Sequence, residues 1–242
     1  MMKVLAVNSS PKMARGNTAL ILNPFLEGMR EVGAEVELFY TRRLKVNPCQ
    51  GCFNCWRKTP GRCRQEDDMQ MLLPKLREAD ILVFATPVHA FGVSGPMKNL
   101  MDRTLPLAEP FLELRDGHSC HPLGEGQKHS KVVLVSSCAL WERDNFDSLL
   151  VQMRALPVGV AAWEFAGALL RPHAEEMRPM IQVGLSPDDI FEAAKEAGRQ
   201  MVRDGEMSPE ILDIVSRELV PLEEFIQKTN AYLQHRLEAL RS

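Results

Sequence analysis

Short, continuously apolar runs alternate with stretches of helical spacing along most of the chain. Residues 3–8 (KVLAVN), 35–41 (EVELFYT), 80–87 (DILVFATP), 131–137 (KVVLVSS) and 163–170 (WEFAGALL) read as strands. Unbroken apolar character is what strands show when both faces of a parallel sheet are covered. Between them, residues 17–32 place Leu20, Ile21, Phe25 and Met29 at helical spacing and stop at Gly33. Residues 69–79 read as a helix despite Pro74, followed by helices over 96–107, about 145–155 and 188–203. Strand–helix alternation of this kind predicts an α/β fold, a doubly wound five-stranded parallel sheet. Right-handed crossovers favour the strand order 2-1-3-4-5.

Two stretches lie outside the alternation. Residues 109–130 are polar and glycine-bearing and read as a long loop, a length usually reserved for functional or mobile segments. After residue 205 only helices follow, over 209–219 and 221–240. The chain therefore divides into a sheet domain, 1–205, and a C-terminal helical extension, 206–242. Ile211, Leu212, Val215, Leu219, Leu222, Phe225, Ile226, Leu233 and Leu237 give the extension more apolar residues than one amphipathic face leaves exposed. A homodimer or higher homo-oligomer would bury that stripe; the alternative is that the helices fold back over an edge of their own sheet.

Composition narrows the class. Hydrophobic residues make up 45% and charged residues 25% of 242 positions, as in ordinary globular proteins, enough for one sizeable core. A net charge of −3 argues against nucleic-acid binding. No apolar run reaches membrane-spanning length, and the chain opens as a strand with no secretory signal. The expectation is a cytoplasmic protein without a membrane partner.

Four of the six cysteines fall in PCQGCFNCWRKTPGRC, as Cys49, Cys52, Cys55 and Cys63. The spacing C-x2-C-x2-C-x7-C brings three thiols close together in any compact backbone, which suits the face of an iron–sulfur cubane. Redox-active or structural free thiols are a second reading, and zinc is a third, although zinc more often uses two separated C-x2-C knuckles. Arg42, Arg43, Lys45, Arg57, Lys58, Arg62 and Arg64 flank the motif, and such cations lower thiol pKa and offset thiolate charge. A solvated basic loop would carry the same residues.

Directly after the first strand stands Asn8-Ser9-Ser10-Pro11-Lys12-Met13-Ala14-Arg15-Gly16-Asn17-Thr18, and then a helix. Hydroxyls, a glycine and free helix-start amides converge where an α/β sheet binds anions. Neither the Rossmann nor the Walker glycine pattern is present. A plain helix cap by Asn17 or Thr18 is the simpler account of the same residues.

Three motifs together, SSPKMARGNT after strand one, the cysteine motif followed by Asp67-Asp68-Met69, and TPVHAFGVSGPMKNLMDR after strand three, carry a resemblance. The chain resembles the flavodoxin-fold, NADPH-dependent FMN reductase family over residues 1–170, and within it the iron–sulfur flavoprotein branch. The resemblance implies that Ser9, Ser10, Lys12, Asn17 and Thr18 hold the FMN phosphate. It also implies that Pro87, Val88, His89, Ala90, Phe91 and Gly92 wall the isoalloxazine and ribityl chain, and that Ser136, Ser137 and Cys138 form a third loop against the flavin. The four motif cysteines would carry a 4Fe-4S cluster. Two positions depart from the pattern: His89 stands where many relatives have tyrosine, and Ala139 where a glycine is frequent.

In activity, the resemblance implies an FMN-dependent oxidoreductase with a small-molecule electron acceptor. Electrons would arrive from a ferredoxin-type donor through the cluster or, without one, from NAD(P)H as co-substrate. The chemistry of the cofactor requires no residue as acid or base, so none is assigned a catalytic role. A flavodoxin-like electron carrier is a competing class, but the net charge of −3 lacks the strongly acidic docking face of such shuttles. A scaffold that has lost its flavin fits least, because the phosphate loop is intact. Among other candidates, His118, Cys120, His121 and His129 lie in the 109–130 loop, which its length and Gly124 and Gly126 suggest as a flavin or substrate lid. Trp141 is a candidate cover for the flavin edge or a packed indole, and Lys98 and Arg103 read as solvated or ion-paired.

Overall fold

The computed structural model describes residues 1–159 and 162–240. Five parallel strands, β1 (Lys3–Asn8), β2 (Glu35–Tyr40), β3 (Ile81–Pro87), β6 (Ser130–Ser137) and β7 (Trp163–Arg171), form one sheet in the order β2-β1-β3-β6-β7. The predicted order holds, and so does its cause. β1, β3 and β6 are buried on both faces along nearly their whole length, so their sequences have no polar alternation.

Helices cover both faces. α1 (Asn17–Glu31) and α7 (Asp188–Arg203) pack on one side with α8 (Pro209–Ser216); α3 (Met69–Glu78), α4 (Gly95–Asp102) and α5 (Asp147–Gly159) cover the other. α1 and α7 touch backbone to backbone. A Cβ added at Gly28 would lie 1.9 Å from the Lys195 carbonyl oxygen, and one at Gly198 would lie 2.0 Å from that of Phe25. Any side chain there would drive the two helices apart. The remaining helices are α2 (Asn54–Arg57), α6 (Met177–Gln182) and α9 (Leu222–Ala239).

Two differences from the expected elements have local causes. The helix expected over 96–107 ends at Asp102 and gives way to a 3₁₀ turn at Leu105–Leu107, because Pro106 has no N–H to continue the ladder. The polar loop of 109–130 contains a hairpin of β4 (Glu113–Arg115) and β5 (His118–Cys120) around Asp116 and Gly117, both at positive φ (49° and 80°). Asp-Gly is the pair that a two-residue hairpin turn of this hand prefers. α3 runs through Pro74 without a break, losing one intrahelical donor only.

The C-terminal helices behave differently from each other. α8 packs back on the sheet domain, with Val215 fully buried and Ile211, Leu212 and Leu219 packed on the core beside α7 and β7. α9 buries only Phe225 and leaves Ile226, Tyr232, Leu233 and Leu237 exposed. Among the described residues no helix is long and apolar enough to cross a membrane.

Candidate functional site

The carboxyl ends of β1, β3 and β6 open into a cleft of about 270 Å³. Its lining includes Ser10, Lys12, Asn17, Thr18, Pro87, Val88, His89, Ser137 and Cys138, so nine of the residues expected from sequence meet in one place. Ala139, Ala174 and Glu175 complete the wall with Pro11 and Gly16.

The loop from β1 to α1 is shaped for an anion. Asn8 is fully buried and its side-chain oxygen accepts from the Ser10 amide at 2.8 Å, which turns the chain sharply out of the strand. Gly16 is the N-cap of α1 and no side chain caps the helix, so its first amides keep no protein partner of that kind. A Cβ at Gly16 would lie 2.3 Å from Ser10 Oγ and 3.2 Å from Ser10 Cβ, so the cradle closes only around a glycine. Arg178 of α6 braces the loop from behind, donating to Asn17 Oδ1 at 2.9 Å and to the Gly16 carbonyl at 3.1 Å. Arg42 donates to the Pro11 carbonyl at 2.9 Å. These outer cations were beyond sequence reasoning: Arg178 is 161 residues from Asn17, and Arg42 read as a neighbour of the cysteines.

Ser9 and Ser136 do not line the cleft. Ser9 Oγ donates to the Ala85 carbonyl at 3.2 Å and accepts from Ser94 Oγ at 2.7 Å, whereas Ser136 Oγ donates to the Thr86 carbonyl at 2.8 Å. Both fasten the floor. Thr18 and Ser137 face each other, with hydroxyls 2.8 Å apart, joining the phosphate loop to the third loop. His89 to Gly92 forms a tight turn at the rim, closed by two backbone hydrogen bonds of 3.0 Å, with Ala90 and Phe91 both at positive φ. Two L-residues held there store strain, a frequent mark of a ligand-binding rim. Ser148 Oγ donates to the Phe91 carbonyl and ties the turn to α5.

Cys138 is buried beside this cleft and its thiol donates to the Leu140 carbonyl at 3.1 Å. Burial pushes its pKa up to about 11, so it stands as a neutral thiol and not as a nucleophile.

The cysteine motif lies in the segment between β2 and α3, with Cys55 and Gly61 beside Arg77 and Pro106. All four thiols are unpaired; Cys49 and Cys52 are exposed, Cys63 is half-buried and Cys55 is buried. Burial raises the Cys55 pKa, and the charges of Cys63, Cys49 and Cys52 raise it further, so the four share one neighbourhood. Among the described residues no three His, Cys, Asp or Glu side chains are gathered as a metal-binding group. The donor set fits a thiolate-bound metal in chemistry, but its sulfurs are not drawn together.

A buried ion pair clasps the motif at its base. Arg103 and Asp67 are only 1% and 0% exposed and meet through two hydrogen bonds, of 2.7 and 2.9 Å. Arg103 also donates to the Asn47 carbonyl at 2.7 Å, and Asp67 accepts from the amides of Asn47 and Met69 at 2.9 and 3.1 Å. The two sides of the loop, at Asn47 and Asp67, are thereby fixed together. Lys98 makes an exposed pair with Asp102.

The 109–130 arm packs against the cysteine motif. His121 lies tilted against Trp56 with ring centroids 4.6 Å apart, and Trp56 Nε1 donates to the Ala108 carbonyl at 2.9 Å. No described residue of 109–130 lines the cleft, so the arm is no lid in this structure. Trp141 packs away from it too, stacked on His173 with its Nε1–H on the Val220 carbonyl.

Comparison with known proteins decides the family. The model of the NADPH-dependent FMN reductase family matches residues 2–169. The chain belongs to that family. Among curated proteins it is similar to an iron–sulfur flavoprotein of Methanocaldococcus jannaschii, 40% identical over 110 residues, which are 46% of this chain and 55% of that one. The chain thus spans about half the length of the curated relatives it matches. Among solved structures, an FMN-dependent NADH-azoreductase of Bacillus anthracis in complex with FMN superposes with a TM-score of 0.56 at 16% identity, covering 84% of this chain and 100% of that one. RosB with a bound flavin-phosphate intermediate covers 96% of this chain and 88% of its own, with a TM-score of 0.54 at 17% identity. At such identities these two establish shared fold alone.

The residues present fit FMN. The helix start has no side-chain cap, Gly16 leaves no room for a Cβ, Lys12 supplies a cation, and the cleft lies where a doubly wound sheet binds its ligand.

Proposed function

We propose that this protein is an FMN-dependent oxidoreductase that passes electrons to a small-molecule acceptor. The observation that carries the reading is the uncapped start of α1, closed around Gly16 and Ser10 at the carboxyl end of β1, in a chain of the FMN reductase family. Bound FMN would supply two-electron and one-electron chemistry; the chain's own residues bind and orient it. Ser10, Lys12, Asn17 and Thr18, with the first-turn amides of α1, are the phosphate partners, and Ser9 and Ser136 act from beneath by holding the floor. Pro87, Val88 and His89, beside Ser137 and Cys138, form the ring-facing side, and the strained Ala90–Phe91 turn with Gly92 follows just outside the lining. The neutral Cys138 thiol adds no charge there.

NAD(P)H is the donor that the family description favours. A 4Fe-4S cluster on Cys49, Cys52, Cys55 and Cys63 is supported by four free thiols in one neighbourhood and by the iron–sulfur flavoprotein relatives. With it, a ferredoxin-type protein becomes the natural donor. Cytoplasmic location and a homodimer joined through α9 complete the reading; five exposed apolar side chains on and just beyond that helix favour the dimer. The test is the absorption spectrum of protein purified without oxygen, together with FMN titration of the flavin-free protein. Flavin bands and saturable uptake of one FMN per chain are expected; no uptake at micromolar FMN would overturn the reading.

A further inference from the structure

The C-terminal extension reaches the cleft walls through a buried network centred on one charge, Arg171. Loop 138–140, which lines the cleft through Cys138 and Ala139, is laced to the turn after β7. The Cys138 amide donates to the Arg171 carbonyl at 3.1 Å, the His173 amide to the Leu140 carbonyl at 2.7 Å, and the Ala174 amide to the Cys138 carbonyl at 3.0 Å. That turn itself supplies Ala174 and Glu175 to the lining and holds His173 in the left-handed region at φ 36°. No described residue after Glu175 lines the cleft.

From behind, the turn is gripped by the segment joining α8 to α9. The Arg171 guanidinium, fully buried, donates to the carbonyls of Pro172 (2.8 Å), Val215 (2.8 Å) and Arg217 (2.6 Å), and lies 3.2 Å from His173 Nε2. His173 Nε2 also accepts from the Leu219 amide at 2.9 Å, which places the ring proton on Nδ1, 3.3 Å from the Trp141 carbonyl. Trp141 Nε1 donates to the Val220 carbonyl at 2.9 Å. Burial lowers the His173 pKa to about 4 and Arg171 to about 10, so near neutral pH the network holds one cation and a neutral imidazole.

No carboxylate hydrogen-bonds Arg171 among the described residues. A buried, unpaired guanidinium is costly, and an apolar side chain would serve simple packing at least as well. What the guanidinium adds is direction: its rigid fork fixes the end of α8 and the β7 turn in one register. Resting on the FMN reading, we propose that Arg171 is a positioning residue through which the C-terminal extension holds loop 138–140 and the 171–175 turn in their FMN-binding form.

The test uses the full-length, flavin-free protein, titrated with FMN by fluorescence quenching well below its melting temperature, with visible circular dichroism of the bound flavin. Arg171→Met should raise the FMN Kd about tenfold, the equivalent of about 1.4 kcal/mol, and change the dichroic envelope. Arg171→Lys, which keeps the charge but not the fork, should recover part of the loss. Met201→Ala, a cavity in the core of α7, lowers the melting temperature without touching the network and should leave Kd and dichroism unchanged. If Arg171→Met fails to fold, Trp141→Phe keeps the stacking and deletes only the bond to Val220, and should still raise Kd about threefold. Wild-type Kd and dichroism in a folded Arg171 variant, or in Trp141→Phe where Arg171→Met does not fold, would overturn the proposal. Failure of the wild-type protein to take up FMN would overturn the FMN reading as well, so the two failures are distinguishable.

Discussion

Breaking the Asp67–Arg103 pair by Arg103→Met should destabilise the protein severely. Both side chains are within 1% of full burial, so the substitution strands a carboxylate whose remaining partners are the Asn47 and Met69 amides. Removing one member of a buried ion pair costs about 3–5 kcal/mol. For a chain of this size each kcal/mol moves the melting temperature by about 2–4 °C, so a drop of about 6–20 °C is expected. The assay is thermal melting by far-UV circular dichroism on reduced, chelator-treated protein, so that metal content cannot differ between variants. Combining Arg103→Met with Asp67→Asn removes both charges, and its loss should fall short of the sum of the singles by about 1 kcal/mol or more. The pH dependence has a defined sign. Burial alone would raise the Asp67 pKa, but Arg103 and the two amides outweigh it and hold the carboxyl below its usual 3.8. Its stabilisation is therefore complete above that unfolded value and is lost as pH falls from there through the lower folded value. The stability gap between wild type and Asp67→Asn should close in the same acid range. An Arg103→Met protein melting within about 1 °C of wild type, or strictly additive singles, would refute the buried-clasp argument.

At the phosphate loop, Gly16→Ala should push Ser10 out of the cradle, and Ser10→Ala with Asn17→Ala should remove its partners. Each is expected to raise the FMN Kd at least about tenfold, because a hydrogen bond to a charged group contributes about 1.5–3 kcal/mol; unchanged titrations would sink the phosphate assignment. At the cysteine motif, Cys52→Ser should lose most bound iron and sulfide while keeping FMN, since the phosphate loop stands on another strand end. Stoichiometric zinc in protein made under anaerobic, iron-replete conditions would instead favour a structural metal. On α9, Leu233→Glu with Leu237→Glu should shift the mass measured by light scattering towards monomer; an unchanged dimer would place the contact elsewhere.

The sheet was legible because burial on both faces leaves a plain signature. Leu5, Val7, Leu82, Phe84, Val132 and Leu134 face one core while Val4, Ala6, Val83, Ala85, Val133 and Val135 face the other, so no polar residue interrupts these strands. The 113–120 hairpin escaped because its strands are three residues long, largely exposed and without alternation; only Asp116-Gly117 announced it. The cleft residues could be named because they cluster within short motifs. Their braces could not, since each joins segments distant in sequence. Arg103 is the C-cap of α4, whose spacing says nothing of a partner 36 residues upstream. Arg171 and His173 close an apolar strand in a place where charges usually meet water, and the returning C-terminal extension, with Trp141, buries them.

One helix connects the two halves of the site, and that connection can be cut. At the start of α4, Ser94 Oγ donates to Ser9 Oγ at 2.7 Å beneath the phosphate loop, and the Ser94 amide donates to Thr86 Oγ1 at 3.0 Å. At its far end Arg103 clasps the cysteine loop. Eight residues of helix make a strut of about 12 Å, so the cysteine motif is referenced to the phosphate loop by a rigid spacer. Inserting one alanine between Met101 and Asp102 would rotate Arg103 by about 100° and advance it by about 1.5 Å. Met97, Leu100 and Met101 would stay seated in the core. The clasp should then open while Ser94 and the phosphate loop stay in place. The expected result is faster modification of Cys55 and Cys63 by a thiol reagent with an FMN Kd close to wild type. Equal loss of thiol protection and FMN binding would mean that the two ends are not held separately and that α4 is no independent strut.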